Sequence, residues 1–298
     1  MTPNPIFGRP MREAHFQFSP TFTPLNHGSF GAWPRLIQEV QDNFQKQCHS
    51  RPDPFIVYEL PALIDFSRSA IAPLLGVGTN EVVFLPNATT GVNVVLRNLK
   101  WNEGDVVVHF STIYDSCEET LKNIKEYSPQ LETENISLEY PTSDAEILRK
   151  LRDTVKRIAG LGKKVRLAMF DTVLTFPGAR VPWEELVVAC KELEVLSLID
   201  GAHGIGHIDL KHLGSVGPDF FVSNCHKYVS ISRSIRSNSL DVIRLGRGGW
   251  HQGRRNWMET NWTDERQMAL HTPWLRSLLR PIPQSTSHPN LPTNLLPI

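Results

Sequence analysis

From residue 80 onward, short apolar runs take turns with amphipathic stretches of helical length, and few architectures accept that alternation. The runs are EVVFL (81–85), DVVVHF (105–110), VRLAMFD (165–171), VLSLID (195–200) and DFFVS (219–223). Each is rich in β-branched or aromatic residues and too short for a globular helix, so each reads as a strand. Between them lie VNVVLRNL after the turn PNATTG, DSCEETLKNIKEY with Asp115 or Ser116 near its N-cap, SDAEILRKLRDTVKRIA (143–159) and WEELVVACKEL (183–193). In the third, Ile147, Leu148, Leu151 and Val155 fall on one helical face, and Ser143 with Glu146 forms a capping box. Strands joined by helices require right-handed crossovers. The expected fold is therefore α/β, a mostly parallel sheet covered by helices on both faces.

This pattern bounds three regions. Residues 80–228 form the sheet core. Residues 1–79 form an arm with two helices, RLIQEVQDNFQKQC and LPALIDFSRSAIAPLLG, which precede the repeating pattern. After Tyr228 the chain carries Arg but no Lys, gathers Trp250, Trp257, Trp262 and Trp274, and ends in RPIPQSTSHPNLPTNLLPI. No alternation there persists long enough to assign a strand, and the last twenty or so residues are expected to be disordered or loosely attached. With 298 residues, 40% of them hydrophobic, the chain can bury one sizeable core. Lys+Arg and Asp+Glu balance at 31 each, so no net field draws it to nucleic acid or an anionic membrane. Cys48, Cys117, Cys190 and Cys225 lack paired spacing, and no apolar run is long enough to span a bilayer. The expectation is a cytoplasmic protein with reduced thiols.

Ligands of parallel sheets gather at the carboxyl ends of the strands. Ala88, Thr89 and Thr90 begin a helix after EVVFLPN, where free N–H groups and hydroxyls suit a phosphate or serve as an ordinary cap. Asp200 closes an apolar strand, where a carboxylate is costly unless a cation or donors meet it. His203 and His207 follow, so a metal-dependent hydrolase is a rival reading, although Gly204 and Gly206 make a helical ligand pair insecure. Lys227 follows the last strand beside His226. Alone it is a solvated surface amine. With an acid at one strand end and a phosphate seat at another, it completes what pyridoxal phosphate requires: a phosphate anchor, a carboxylate for the ring nitrogen and an amine for the aldehyde.

The segments NHGSFG, PNATTGVN, IDGAHGIGH and SNCHK, in that order, resemble the class V aminotransferase superfamily of pyridoxal-phosphate enzymes, and within it the isopenicillin N epimerase-like branch. The resemblance runs from about Leu25 to Tyr228 and implies fold-type I. It implies that Lys227 forms the Schiff base and moves the α-proton, that Asp200 pairs with the ring nitrogen, and that His203 lies near the phenolic oxygen. Ala88, Thr89, Thr90, Ser223, Asn224 and His226 then hold the phosphate. By the same resemblance Tyr114 stacks on the ring, Thr175 touches the phenolic oxygen, and Asn26 and His27 approach the substrate. It further implies an amino-acid-type substrate, lyase, epimerase or aminotransferase chemistry in specialised metabolism, and a homodimer. Persulfide-forming desulfuration is disfavoured, because no cysteine follows Cys225. The family pattern stops after Tyr228, where a small C-terminal domain is expected, so a shortened or frame-altered terminus is one expectation. A catalytically impaired binding or scaffold protein is the corresponding alternative.

Overall fold

The computed structural model describes residues 7–228 and the backbone of 241–245. Seven strands make one sheet: β1 Val82–Leu85, β2 Asp105–Phe110, β3 Glu132–Ile136, β4 Lys164–Asp171, β5 Leu196–Gly201, β6 Phe220–Asn224 and β7 Asp241–Leu245. Their order is β1-β7-β6-β5-β4-β2-β3. Strands β2 to β6 are mutually parallel, while β7 lies antiparallel between β6 and β1. Because β1 and β6 both oppose β7, β1 points the same way as the parallel set. The carboxyl ends of six strands therefore meet along one edge of the sheet.

The longer helices are α1 Arg35–Ser50, α2 Leu60–Ile71, α3 Ala88–Asn98, α4 Asp115–Tyr127, α5 Asp144–Gly160 and α6 Trp183–Glu192. Alternate strand residues bury opposite faces. Val108, Phe170, Ile199 and Phe221 pack with Ile147, Leu151, Trp183 and Leu186 of α5 and α6. Val107, Met169, Leu198 and Val222 pack with Val92, Leu96, Cys117 and Leu121 of α3 and α4. Arg68 fastens α2 to the sheet, donating from Nε to Val82 O at 2.7 Å and from a terminal nitrogen to Thr79 O at 2.8 Å. The α/β architecture is the expected one. Among the described residues, no helix is long and apolar enough to cross a membrane.

Several details differ from the sequence reading. Strand β3, ETENI, lies on the sheet edge with Ile136 its single buried residue, so it lacks the apolar signature of a strand. Strand β7, DVIRL, lies beyond Tyr228, in a stretch whose composition masks it; its backbone pairs with β1 and β6. Helix α4 has Tyr114 at its N-cap, directly before Asp115 and Ser116, and the Tyr114 side chain makes no capping bond. The box at α5 is half built: Ser143 Oγ accepts from Glu146 N at 3.2 Å, but the Glu146 carboxylate turns to Arg149. The remaining expectations for the tail lie outside the described residues.

Candidate active site

Strand β5 delivers Asp200 to the carboxyl edge and then Gly201, where a Cβ would stand 2.4 Å from the Phe221 ring. That close packing seats Asp200 at 6% exposure. Its Oδ1 accepts from Ala202 N at 2.9 Å, and the Cys117 thiol of α4 lies 3.5 Å from Oδ2 as donor. Burial pushes the Asp200 carboxyl up, while the Ala202 amide, the Cys117 thiol and the charge of Lys227 pull it back. The two donors and the nearby charge of Lys227 offset the cost of a carboxylate buried here.

His203 sits three residues on, half-buried, and its ring bonds to the Val173 backbone. Burial lowers it to about 4, helped by the charge of Lys227 and by His207, so the imidazole is neutral near neutral pH. Lys227 thus acts electrostatically on both Asp200 and His203, and the three residues share one site. His207 is exposed, with Nδ1 3.1 Å from His203 O and its ring stacked 4.7 Å from Tyr228. Among the described residues, no group of three His, Cys, Asp or Glu could hold a metal ion.

The turn carrying Lys227 is clamped from the N-terminal side. A Cβ on Gly28 would meet the Tyr228 hydroxyl at 2.0 Å, and one on Gly31 would meet His226 O at 1.9 Å and Lys227 Cα at 3.1 Å. Gly31 also has φ +70°, in the left-handed region. Glycine at these two positions lets NHGSFG lie directly on CHKY. Asn26 and His27 lie in the segment that these two glycines press onto the lysine turn. Asn26 is exposed and donates from Nδ2 to Ser29 Oγ at 3.1 Å, while His27 meets Phe16 edge-on at 6.2 Å.

The start of α3 is joined to the end of β6, where Ala88 N donates to Asn224 Oδ1 at 3.0 Å. Asn87 caps the helix, accepting from Thr90 N at 2.7 Å and from the Thr90 hydroxyl at 2.9 Å. Ser223 is fully buried, with its hydroxyl donating to Gly201 O and accepting from Ile205 N at 3.3 Å. It shapes the loop after β5. His226 is partly buried. Tyr114 and Thr175 are exposed on the loops after β2 and β4, at the same edge.

Three residues packed beside the site escaped the sequence reading. Asp171 ends β4 beside Asp200, in register across the two strands. Its signal, a carboxylate closing LAMFD, matches that of Asp200 closing LSLID. Cys117 and Tyr228 act through packing that no linear motif announces.

The sequence between residues 38 and 231 matches the family "Aminotransferase class-V". The L-cysteine desulfhydrase-like protein lolT2 of Epichloe uncinata is 33% identical over 76% of this chain and 48% of its own length. Isopenicillin N epimerase of Streptomyces clavuligerus is 28% identical over 70% of this chain and 51% of its own. The chain spans about half the length of these curated relatives. A solved structure, the cystine C-S lyase C-DES with its product cysteine persulfide, superposes with a TM-score of 0.63 at 20% identity, covering 74% of this chain and 56% of that one. That likeness places the fold in fold-type I. The epimerase is not singled out over the desulfhydrase-like protein, so the expected branch narrows no further than the superfamily. By its sequence, the chain belongs to the aminotransferase class-V family.

Proposed function

We propose that this chain binds pyridoxal 5′-phosphate through Lys227 and acts on a small amino acid, eliminating sulfur from a cysteine-type substrate. The supporting observation is a buried Asp200 carboxylate within electrostatic reach of Lys227. The residues present fit that cofactor: a carboxylate for a cationic ring nitrogen, an amine for an aldehyde and a helix start for a phosphate. When bound, the cofactor supplies an electron sink for charge developing at the substrate α-carbon.

The chain supplies the rest. Asp200 holds its negative charge where the ring nitrogen is to lie, with Cys117 and Ala202 fixing both oxygens. His203, neutral and anchored to Val173, offers a hydrogen-bonding edge to the phenolic oxygen, which Thr175 approaches from the next loop. Thr89 and Thr90, at the start of this helix, would help hold the phosphate. Ala88 and Asn224 brace that helix start through their mutual bond, Ser223 holds the loop beneath, and His226 flanks the lysine turn. Tyr114 would cover the ring, and Asn26 and His27 would line the approach of the substrate. Lys227 Nζ would take the proton from the substrate α-carbon and pass it to the sulfur as the Cβ–S bond breaks and hydrosulfide leaves; water would then hydrolyse the released enamine to pyruvate and ammonia. The working assembly is a cytoplasmic homodimer in specialised metabolism.

Elimination is preferred over epimerisation because the desulfhydrase-like relative is the more similar of the two named above. For L-cysteine the products are sulfide, pyruvate and ammonia. The test is to saturate the protein with cofactor, supply a panel of amino acids including L-cysteine, and measure pyruvate and sulfide. Equal release of both, abolished in Lys227→Ala, is expected. Racemised cysteine without sulfide overturns elimination. Bound cofactor without turnover of any amino acid replaces the enzyme with a scaffold.

A further inference from the structure

Asp171 has no part in the site just described, yet it is buried at 5% exposure at the carboxyl end of β4. It stands in register with Asp200 of β5, so the two carboxyls leave the same face of neighbouring strands. Two carboxylates that close, away from water, cannot both ionise at neutral pH. Their surroundings are unequal. Asp200 has the Ala202 amide, the Cys117 thiol and the charge of Lys227. Among the described residues, the titratable groups that act with Asp171 are Asp200 itself, the Cys117 thiol of α4 and the Tyr140 phenol ahead of α5, none of them a cation.

We propose that Asp171 is a positioning residue that stays protonated beside Asp200, so that the pair carries one negative charge and that charge resides on Asp200, where a cationic ring nitrogen is to bind. This rests on the cofactor reading above for its purpose but not for its chemistry. Burial and the Asp200 charge both push the Asp171 carboxyl up. Its sign in stability follows. The unfolded chain releases this proton near the ordinary carboxylate range, whereas the folded chain keeps it. Raising the pH from that range upward therefore favours unfolding, until the folded carboxyl also ionises.

The test compares the full chain with Asp171→Asn, which is neutral at every pH and nearly the same shape. Without cofactor, the wild-type unfolding constant should climb with pH by up to about tenfold per unit more than that of the variant, from the ordinary carboxylate range upward. Parallel pH dependence in the two proteins overturns the proposal. Should Asp171→Asn fail to fold, Asp171→Ser takes its place with the same expectation. In pyridoxal phosphate titrations, Asp171→Asn should retain affinity within about threefold, whereas Asp200→Asn should lose at least about tenfold. Equal losses in both variants overturn the assignment of the charge to Asp200. If wild type binds no cofactor while the unfolding curves still diverge, the functional reading fails and the protonated carboxyl stands.

Discussion

Replacing Gly31 with alanine should detach the N-terminal segment from the lysine turn, and the structure sets the size of the effect. The new Cβ meets a backbone carbonyl, His226 O, at 1.9 Å, with Lys227 Cα at 3.1 Å. No side chain can swing aside, so the segment or the turn must move by about 1 Å to restore van der Waals contact. Holding a non-glycine residue at φ +70° adds about 1–2 kcal/mol. Overpacking against backbone adds about 1–3 kcal/mol more. Gly162 supplies the control, since it has φ +73° with nothing within 4 Å of its Cβ position. Gly162→Ala therefore carries the conformational cost alone. Urea denaturation should show Gly31→Ala losing about 1–3 kcal/mol beyond Gly162→Ala, unless the segment lets go first. Hydrogen exchange distinguishes those cases, because release raises exchange across 26–31 and 226–228 and spares the sheet. A lysine displaced by about 1 Å should also form its cofactor adduct far more slowly. Equal stability of the two variants, with unchanged exchange at 226–228, refutes the clamp.

Two further outcomes follow from particular contacts. His203 is depressed to about 4 by burial and by Lys227, so the unfolded chain takes a proton that the folded one refuses, and stability falls as pH drops from about 6.5 toward 4. The full shift corresponds to about 3 kcal/mol, which solvent screening at a half-buried ring reduces to roughly 1–2 kcal/mol; His203→Asn should remove that loss in urea titrations at pH 7 and pH 4.5, and an unchanged acid limb contradicts it. Ser143→Ala removes the acceptor for Glu146 N and should cost about 1 kcal/mol by denaturation while leaving cofactor affinity intact.

The sheet core was legible because β4, β5 and β6 are buried along nearly their whole length and read as apolar runs between periodic helices. Edge strand β3 was not, since a sequence with one inward apolar residue has no period to detect. Strand β7 hides in a stretch of Arg, Ser and Gly and reaches its place from beyond Tyr228. At the site, Lys227, Asp200 and His203 stood out as polar residues at strand ends, and their electrostatic coupling joins them. What stayed hidden depends on long-range contact. The bond from Ala88 to Asn224 spans 136 residues, and the Cys117 bond to Asp200 spans 83. Asp171 was visible by the logic applied to Asp200, but its meaning comes only from the register that sets the two side by side.

Reductive trapping tests most directly whether Lys227 is the amine that captures the cofactor. Pyridoxal phosphate is added to the purified chain, the product is reduced with borohydride, and peptides are mapped by mass. A stoichiometric pyridoxyl adduct on Lys227, lost in Lys227→Ala and weakened in Asp200→Asn, is the expected result. An unmodified Lys227, or label spread over surface lysines such as Lys122 and Lys150, contradicts it.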